Sequence, residues 1–183
     1  MEKRITAPID KETAKSLKVG DSLLISGVIY TARDAAHERM TRLHAEGVDY
    51  PIDLKDNVIY YAGPCPAKPG EVIGSCGPTT AGRMDAYTPE LLDNGLGAMI
   101  GKGVRSKEVV DAIKRNKCVY LGAIGGAGAL IAECIKKAEV VAYDDLGTEA
   151  IRRLEVVDFP AVVLMDCEGN DLYEAGQKEY RLI

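Results

Sequence analysis

An α/β domain built on a mixed sheet is the architecture this sequence predicts, and three observations predict it. Short, apolar, β-branched segments run through the first half of the chain. Beyond Gly77 such segments alternate with helical ones, and Gly or Pro stands at nearly every boundary between them. The 183 residues, 46% hydrophobic and 28% charged, suit one domain with its own core and need no disulfide or metal staple.

The first clear strand is Ser22 to Tyr30 (SLLISGVIY), and the segment from Asp34 to Glu46, stopped by Gly47, reads as a helix. Thr31, Ala32 and Arg33 fill the loop between them. Asn57 to Ala62 (NVIYYA) and Glu71 to Ser75 read as further strands, separated by Gly63-Pro64-Cys65-Pro66 and Pro69-Gly70. Thr88-Pro89-Glu90 supplies an N-cap, a first-turn proline and a first-turn acid for a short helix that Gly95 ends. Gly97 to Gly101 is a short strand, Ser106 caps a helix through Arg115, and Cys118 to Ala123 is a strand. Ala127 to Lys137 reads as a helix and Glu139 to Tyr143 as a strand. Phe159 to Met165 (FPAVVLM) is a strand that the turn from Asp166 to Asn170 leads into Asp171-Leu172-Tyr173, suggesting a terminal hairpin. Active residues are expected in loops at the C-terminal ends of strands.

Composition excludes several classes of function. A net charge of −5 with no local run of Lys or Arg argues against nucleic acid or an anionic membrane as partner. The start, Met1 to Ile5, lacks the apolar stretch of a signal peptide, and no run of about 18 apolar residues occurs, so a cytoplasmic location is expected. Cys65, Cys76, Cys118, Cys134 and Cys167 are odd in number and form no C-x-x-C pair, which argues against a disulfide framework or a self-contained zinc or iron–sulfur site. His37 and His44 stand two helical turns apart, too far for a metal pair, and are expected to be surface or helix-packing residues.

Three segments combine a cation with small residues: 31–37 (TARDAAH), 77–85 (GPTTAGRMD) and 101–106 (GKGVRS). A glycine-lined loop admits a carboxylate to backbone N–H groups, and an adjacent Arg grips both its oxygens, so two such docks suit a dicarboxylic acid. The plainer alternative is that Arg33, Arg83 and Lys102 are solvated or pair with local acids such as Asp34 and Asp85, while Thr79 and Thr80 bond within a turn. Gly122 to Gly128 does not give G-x-G-x-x-G in register, which leaves dinucleotide binding a minor option. Gly97 to Gly103 is one residue short of a P-loop, with Gly where Ser or Thr must hold magnesium.

The three segments, in this order, resemble the signature segments of the β region of class I iron–sulfur fumarate hydratases and their L(+)-tartrate dehydratase relatives. GAIGGAGAL at 122–130 and FPAVVLMDCEGNDLY at 159–173 resemble that family too. The resemblance implies a single swivelling β/β/α domain over residues 1–183, corresponding to the C-terminal domain of the single-chain enzymes. It implies a [4Fe–4S] cluster bound by a partner α subunit and no metal bound by this chain, with assembly as a dimer of αβ pairs. The implied reaction is reversible hydration of fumarate to (S)-malate, or dehydration of L-tartrate, in which one iron acts on the hydroxyl leaving group. By the same resemblance Thr79 is the base and Arg33, Arg83 and Lys102 hold the carboxylates; the assistance of His37 or Asp34 stays open. A non-catalytic organic-acid-binding domain is the alternative from another class.

Overall fold

The computed structural model describes residues 2–181. Strand β1 (Glu2–Ala7), helix α1 (Lys11–Ser16), β2 (Ser22–Thr31), α2 (Asp34–Ala45) and β3 (Val58–Tyr60) make up the first part of the chain. They are followed by α3 (Thr88–Asp93), β4 (Ala98–Gly101), α4 (Lys107–Asn116), β5 (Val119–Gly122), α5 (Gly128–Cys134), β6 (Ile135–Ala142), β7 (Ile151–Met165) and α6 (Leu172–Tyr180). Short 3-10 turns occupy Ala81–Met84 and Asp144–Glu149.

The sheet is mixed, as the sequence predicts. β1 through β5 run parallel in that order, and β7 runs antiparallel to β2, β5 and β6. Because β7 bonds β2 along one edge and divides the other between β6 and β5, strands β2-β3-β4-β5-β7 close into a five-stranded, barrel-like ring. The side-chain period of two then sorts each strand between two cores. Ile25, Ile29, Val58, Tyr60, Ile100 and Leu121 belong to one, where Tyr60 meets Phe159 edge to face at 5.1 Å. Ile59, Tyr61, Met99 and Tyr120 belong to the other, covered by Met40 of α2, Leu91 of α3 and Val109 of α4. Burial on both faces is why these parallel strands read as unbroken apolar runs.

Five readings need correction. Glu71 to Ser75 is irregular rather than a strand: Gly74 lies against the Cys65 and Pro66 carbonyls, and Glu71 N–H to Lys68 O (2.9 Å), Cys65 N–H to Ser75 O (2.9 Å) and Gly74 N–H to Cys65 O (3.2 Å) tie it down as a loop. The helix expected over 127–137 stops at Cys134, because Ile135 turns extended and starts β6, whose pairing with β7 outweighs local helix propensity. The terminal hairpin is instead a strand, a turn and a helix. Asp166 accepts from the Glu168 and Asn170 N–H groups to close the turn, and Asp171 accepts from Tyr173 N–H as the N-cap of α6. Thr88 lies inside α3 rather than capping it, its hydroxyl donating to Met84 O at 2.8 Å. Alternation of strand and helix also begins at the N-terminus, with β1 and α1, rather than at Gly77. Among the described residues no helix is long and apolar enough to cross a membrane.

Candidate active site

The loops leaving β2, β3, β4 and β5 lie side by side, stitched by main-chain bonds. Ala32 N–H donates to Tyr60 O (3.2 Å), Thr79 N–H to Tyr61 O (2.8 Å), Ala81 N–H to Lys102 O (2.8 Å) and Ala123 N–H to Gly101 O (3.0 Å). Thr80 and Lys102 form an isolated parallel bridge, so the 77–81 segment runs as a short extra rung beside the end of β4. Gly101 is what allows this approach: a Cβ there would lie 2.9 Å from the Tyr61 ring and 3.1 Å from the Ala81 Cβ. The three segments singled out in the sequence thus meet at one end of the ring.

Arg33 and Arg83, fifty positions apart in the chain, converge on one carboxylate. Asp34 Oδ2 is 3.4 Å from Arg33 Nη2, and its Oδ1 is 3.1 Å from Arg83 Nε. Arg33 is further held by Glu149, with Oε1 3.6 Å from Nη2 while Oε2 accepts from Ala35 N–H at 2.9 Å. Its side chain lies over Gly63, where a Cβ would come within 2.9 Å of Nη1. Arg33 is mostly covered, at 22% side-chain exposure, whereas Arg83 is open at 55%. The local acid Asp34 is therefore a partner of both arginines, and Asp85 is a partner of neither.

Asp85 pairs instead with Arg105, whose side chain is fully buried. Arg105 Nε donates to Asp85 Oδ1 at 2.7 Å and Nη2 to Thr88 Oγ1 at 2.9 Å, with its guanidinium over the Tyr61 and Tyr120 rings at 5.3 and 4.8 Å. The other Asp85 oxygen accepts from Ser106 N–H at 2.6 Å, beside the cap where Ser106 Oγ accepts from Val109 N–H. This pair fastens the segment at 77–85 to the segment at 101–106 from below. Above it Lys102 is exposed and runs along the Gly125 backbone, where a Cβ would lie 3.7 Å from its Nζ. Thr79 is half-buried, and Thr80, at the N-cap position of the 3-10 turn, makes no side-chain cap.

His37 is buried beneath these loops against Tyr61, with ring centroids 5.4 Å apart. Burial pushes its pKa down to about 4, so the ring is neutral. Its Nδ1 lies 2.8 Å from Arg33 O and must donate, since a carbonyl only accepts. The buried Nε2 has no partner among the described residues. His44 stacks on Tyr50 at 4.2 Å, a helix-packing contact.

The sequence pointed to Arg33, Arg83, Lys102 and Thr79, and the structure brings them onto adjacent loops. Glu149 and Gly63 were not legible, because they approach from distant segments with no motif of their own. Arg105 stood inside a recognised segment, but only the structure reveals that it is internal. A cleft of about 700 Å³ between the Cys65–Ser75 loop and α5 contains none of the four candidate residues. Arg83 and Lys102 are exposed, and Arg33 and Thr79 are partly covered.

A family model described as the fumarase C-terminus matches residues 2–176. The chain is 46% identical over 159 residues to the aerobic class I fumarate hydratase of Salmonella typhimurium, covering 85% of this chain and 27% of that protein. It is 42% identical over 171 residues to fumarate hydratase 2 of Leishmania major, covering 91% of this chain and 30% of that one. The chain thus spans about a third or less of the length of the fumarate hydratases it matches. A putative L(+)-tartrate dehydratase subunit beta of Methanocaldococcus jannaschii, 39% identical over 177 residues, is matched over 93% of this chain and 91% of its own length. A match running from the first strand into the last helix, through every loop that builds the cationic surface, means that this chain belongs to the fumarase C-terminal family.

Proposed function

We infer that this chain is the β subunit of an iron–sulfur hydro-lyase that reversibly hydrates fumarate to (S)-malate. The observation that carries the reading is the convergence of Arg33 and Arg83 on one carboxylate, beside Thr79 and Lys102. Two guanidiniums that share the Asp34 carboxylate are already spaced and oriented for carboxylate oxygens, and Lys102 adds a second cationic dock across the 77–81 rung. Arg83 and Lys102 are exposed and Arg33 and Thr79 only partly covered, which supports closure of the site by another body: a partner α subunit, against which this domain swivels. The expected assembly is a cytoplasmic dimer of αβ pairs.

The [4Fe–4S] cluster does not fit this chain's own residues. Such a cluster needs several thiolates around one point, whereas Cys76, Cys118 and Cys167 are buried, Cys134 is half-buried and Cys65 exposed, and among the described residues no three of them gather as a metal site. Burial pushes the Cys76 and Cys118 thiols up to about 12, which keeps them protonated. The cluster accordingly belongs to the α subunit, and this chain supplies binding and proton transfer. Arg33, Arg83 and Lys102 hold the substrate carboxylates. Hydration adds the hydroxide of a water to one alkene carbon and a proton to the other; that proton comes from Thr79 Oγ1, and the proton the water loses passes back to the Thr79 alkoxide, with dehydration running the same transfers in reverse. The surrounding cations favour the alkoxide that this requires.

The relative matched at nearly full length carries the name of a tartrate dehydratase subunit, which favours L(+)-tartrate as the second reading. The test is to produce the chain with its cluster-bearing partner and assay both acids. Turnover of fumarate well above that of L-tartrate is the expected result. The reverse preference selects the second reading, and a cluster-loaded complex inactive on both overturns the two together.

A further inference from the structure

We propose that Tyr173 is a positioning residue for Lys102, acting through the Gly103 peptide; the inference rests on the reading of Lys102 as a carboxylate dock. Both polar groups of Gly103 are held by phenols. Gly103 N–H donates to the Tyr173 oxygen at 3.1 Å, and Tyr120 donates its hydroxyl to Gly103 O at 2.9 Å. Tyr120 comes from β5, and burial raises its pKa, so it stays a donor. Tyr173 comes from the far end of the chain. The other polar group of the peptide that carries the Gly103 N–H, the Lys102 carbonyl, accepts from Ala81 N–H at 2.8 Å. The Lys102–Gly103 peptide is thus held at its carbonyl by a main-chain rung and at its N–H by a phenol, on a loop that turns at Gly103 with φ +87°.

The placement of Tyr173 is built, not incidental. The turn closed by Asp166 returns the chain to the end of β7, where Met165 and Asp171 form a bridge, and Asp171 accepts from Tyr173 N–H at 2.7 Å to start α6. Leu172 packs against the outer core, whereas α6 has no buried residue. Its first turn is anchored and delivers a hydroxyl to the lysine loop, while the body of the helix contributes little to the core. Tyr173 is 36% exposed, so removing its oxygen leaves packing intact.

Three measurements on the assembled enzyme and the chain test this. Tyr173→Phe deletes the acceptor and keeps the ring, and should raise KM for fumarate roughly three- to tenfold with kcat and melting temperature little changed, as expected for one lost hydrogen bond. Hydrogen exchange at the Gly103 amide of the chain should quicken in the same variant. In a Lys102→Met background, itself raised in KM, Tyr173→Phe should have no further effect, because it acts only through the lysine. An unchanged KM or Gly103 exchange in Tyr173→Phe overturns the inference and leaves the Lys102 reading standing, as do KM effects of the two substitutions that simply multiply. An unchanged KM in Lys102→Met overturns both.

Discussion

Thr79 and Thr80 are neighbours that the sequence cannot tell apart by chemistry, and the backbone separates them. Thr79 is half-buried, with its N–H on Tyr61 O, while Thr80 is exposed and bridges Lys102. If Thr79 moves the proton, Thr79→Val should lower turnover about 10²–10⁴-fold with little loss of stability, the span of a positioned acid–base group. Thr80→Val should leave turnover near that of the parent. Steady-state kinetics and thermal melts of the two variants decide it: a dead Thr80→Val beside an active Thr79→Val sinks the assignment. What was legible at this scale was residue type within a motif, such as Arg33, Arg83 and Lys102. What was not legible was pairing. Nothing local says that Asp34 takes both arginines, or that Asp85, two residues from Arg83, turns inward to Arg105.

Among elements, those with strong local signals formed as the sequence suggested. β2 and α2 follow from an apolar β-branched run and a Gly47 stop, and α4 from the Ser106 cap, with Lys117 left-handed at its end. Those whose state depends on distant pairing did not. The start of β6, Ile135 to Lys137, continues the helical composition of α5 yet is extended because β7 lies beside it, and the first half of β7, from Ile151, is charged enough to hide its strand character. The contact holding the two recognised loops together is likewise long-range: Arg105 and Asp85 join the 3-10 turn at Ala81–Met84 to the start of α4. Removing one member leaves a buried charge unpaired, so Asp85→Asn should destabilise the chain by about 3–5 kcal/mol. Asp93→Asn, which disrupts the half-exposed bridge to Arg115, should stay within about 1 kcal/mol. Urea unfolding of the two variants checks the contrast, and equal losses would show that Arg105 is no more dependent on its partner than a surface arginine.

For the whole molecule, closure of the ring was out of reach of sequence reasoning. It depends on β7 returning antiparallel to β2 across more than a hundred residues, a pairing set by topology rather than by any local pattern. That closure carries the loops of β2 to β5 to one end, where Arg83 and Lys102 are exposed, Arg33 is partly covered and Arg105 is buried. The cysteines, by contrast, scatter through the molecule: Cys76 sits in the core with Tyr60, and Cys118 lies in the other core with its thiol donating to Leu96 O. The consequence is testable on the chain alone. Treated anaerobically with iron and sulfide, it should remain colourless and without hydro-lyase activity, since among the described residues no three His, Cys, Asp or Glu side chains come together as a metal site. Addition of the cluster-bearing partner should restore both colour and turnover. Stable iron–sulfur absorbance from the chain by itself would count against the division of labour proposed here, because it would place the cluster on residues that the fold holds apart.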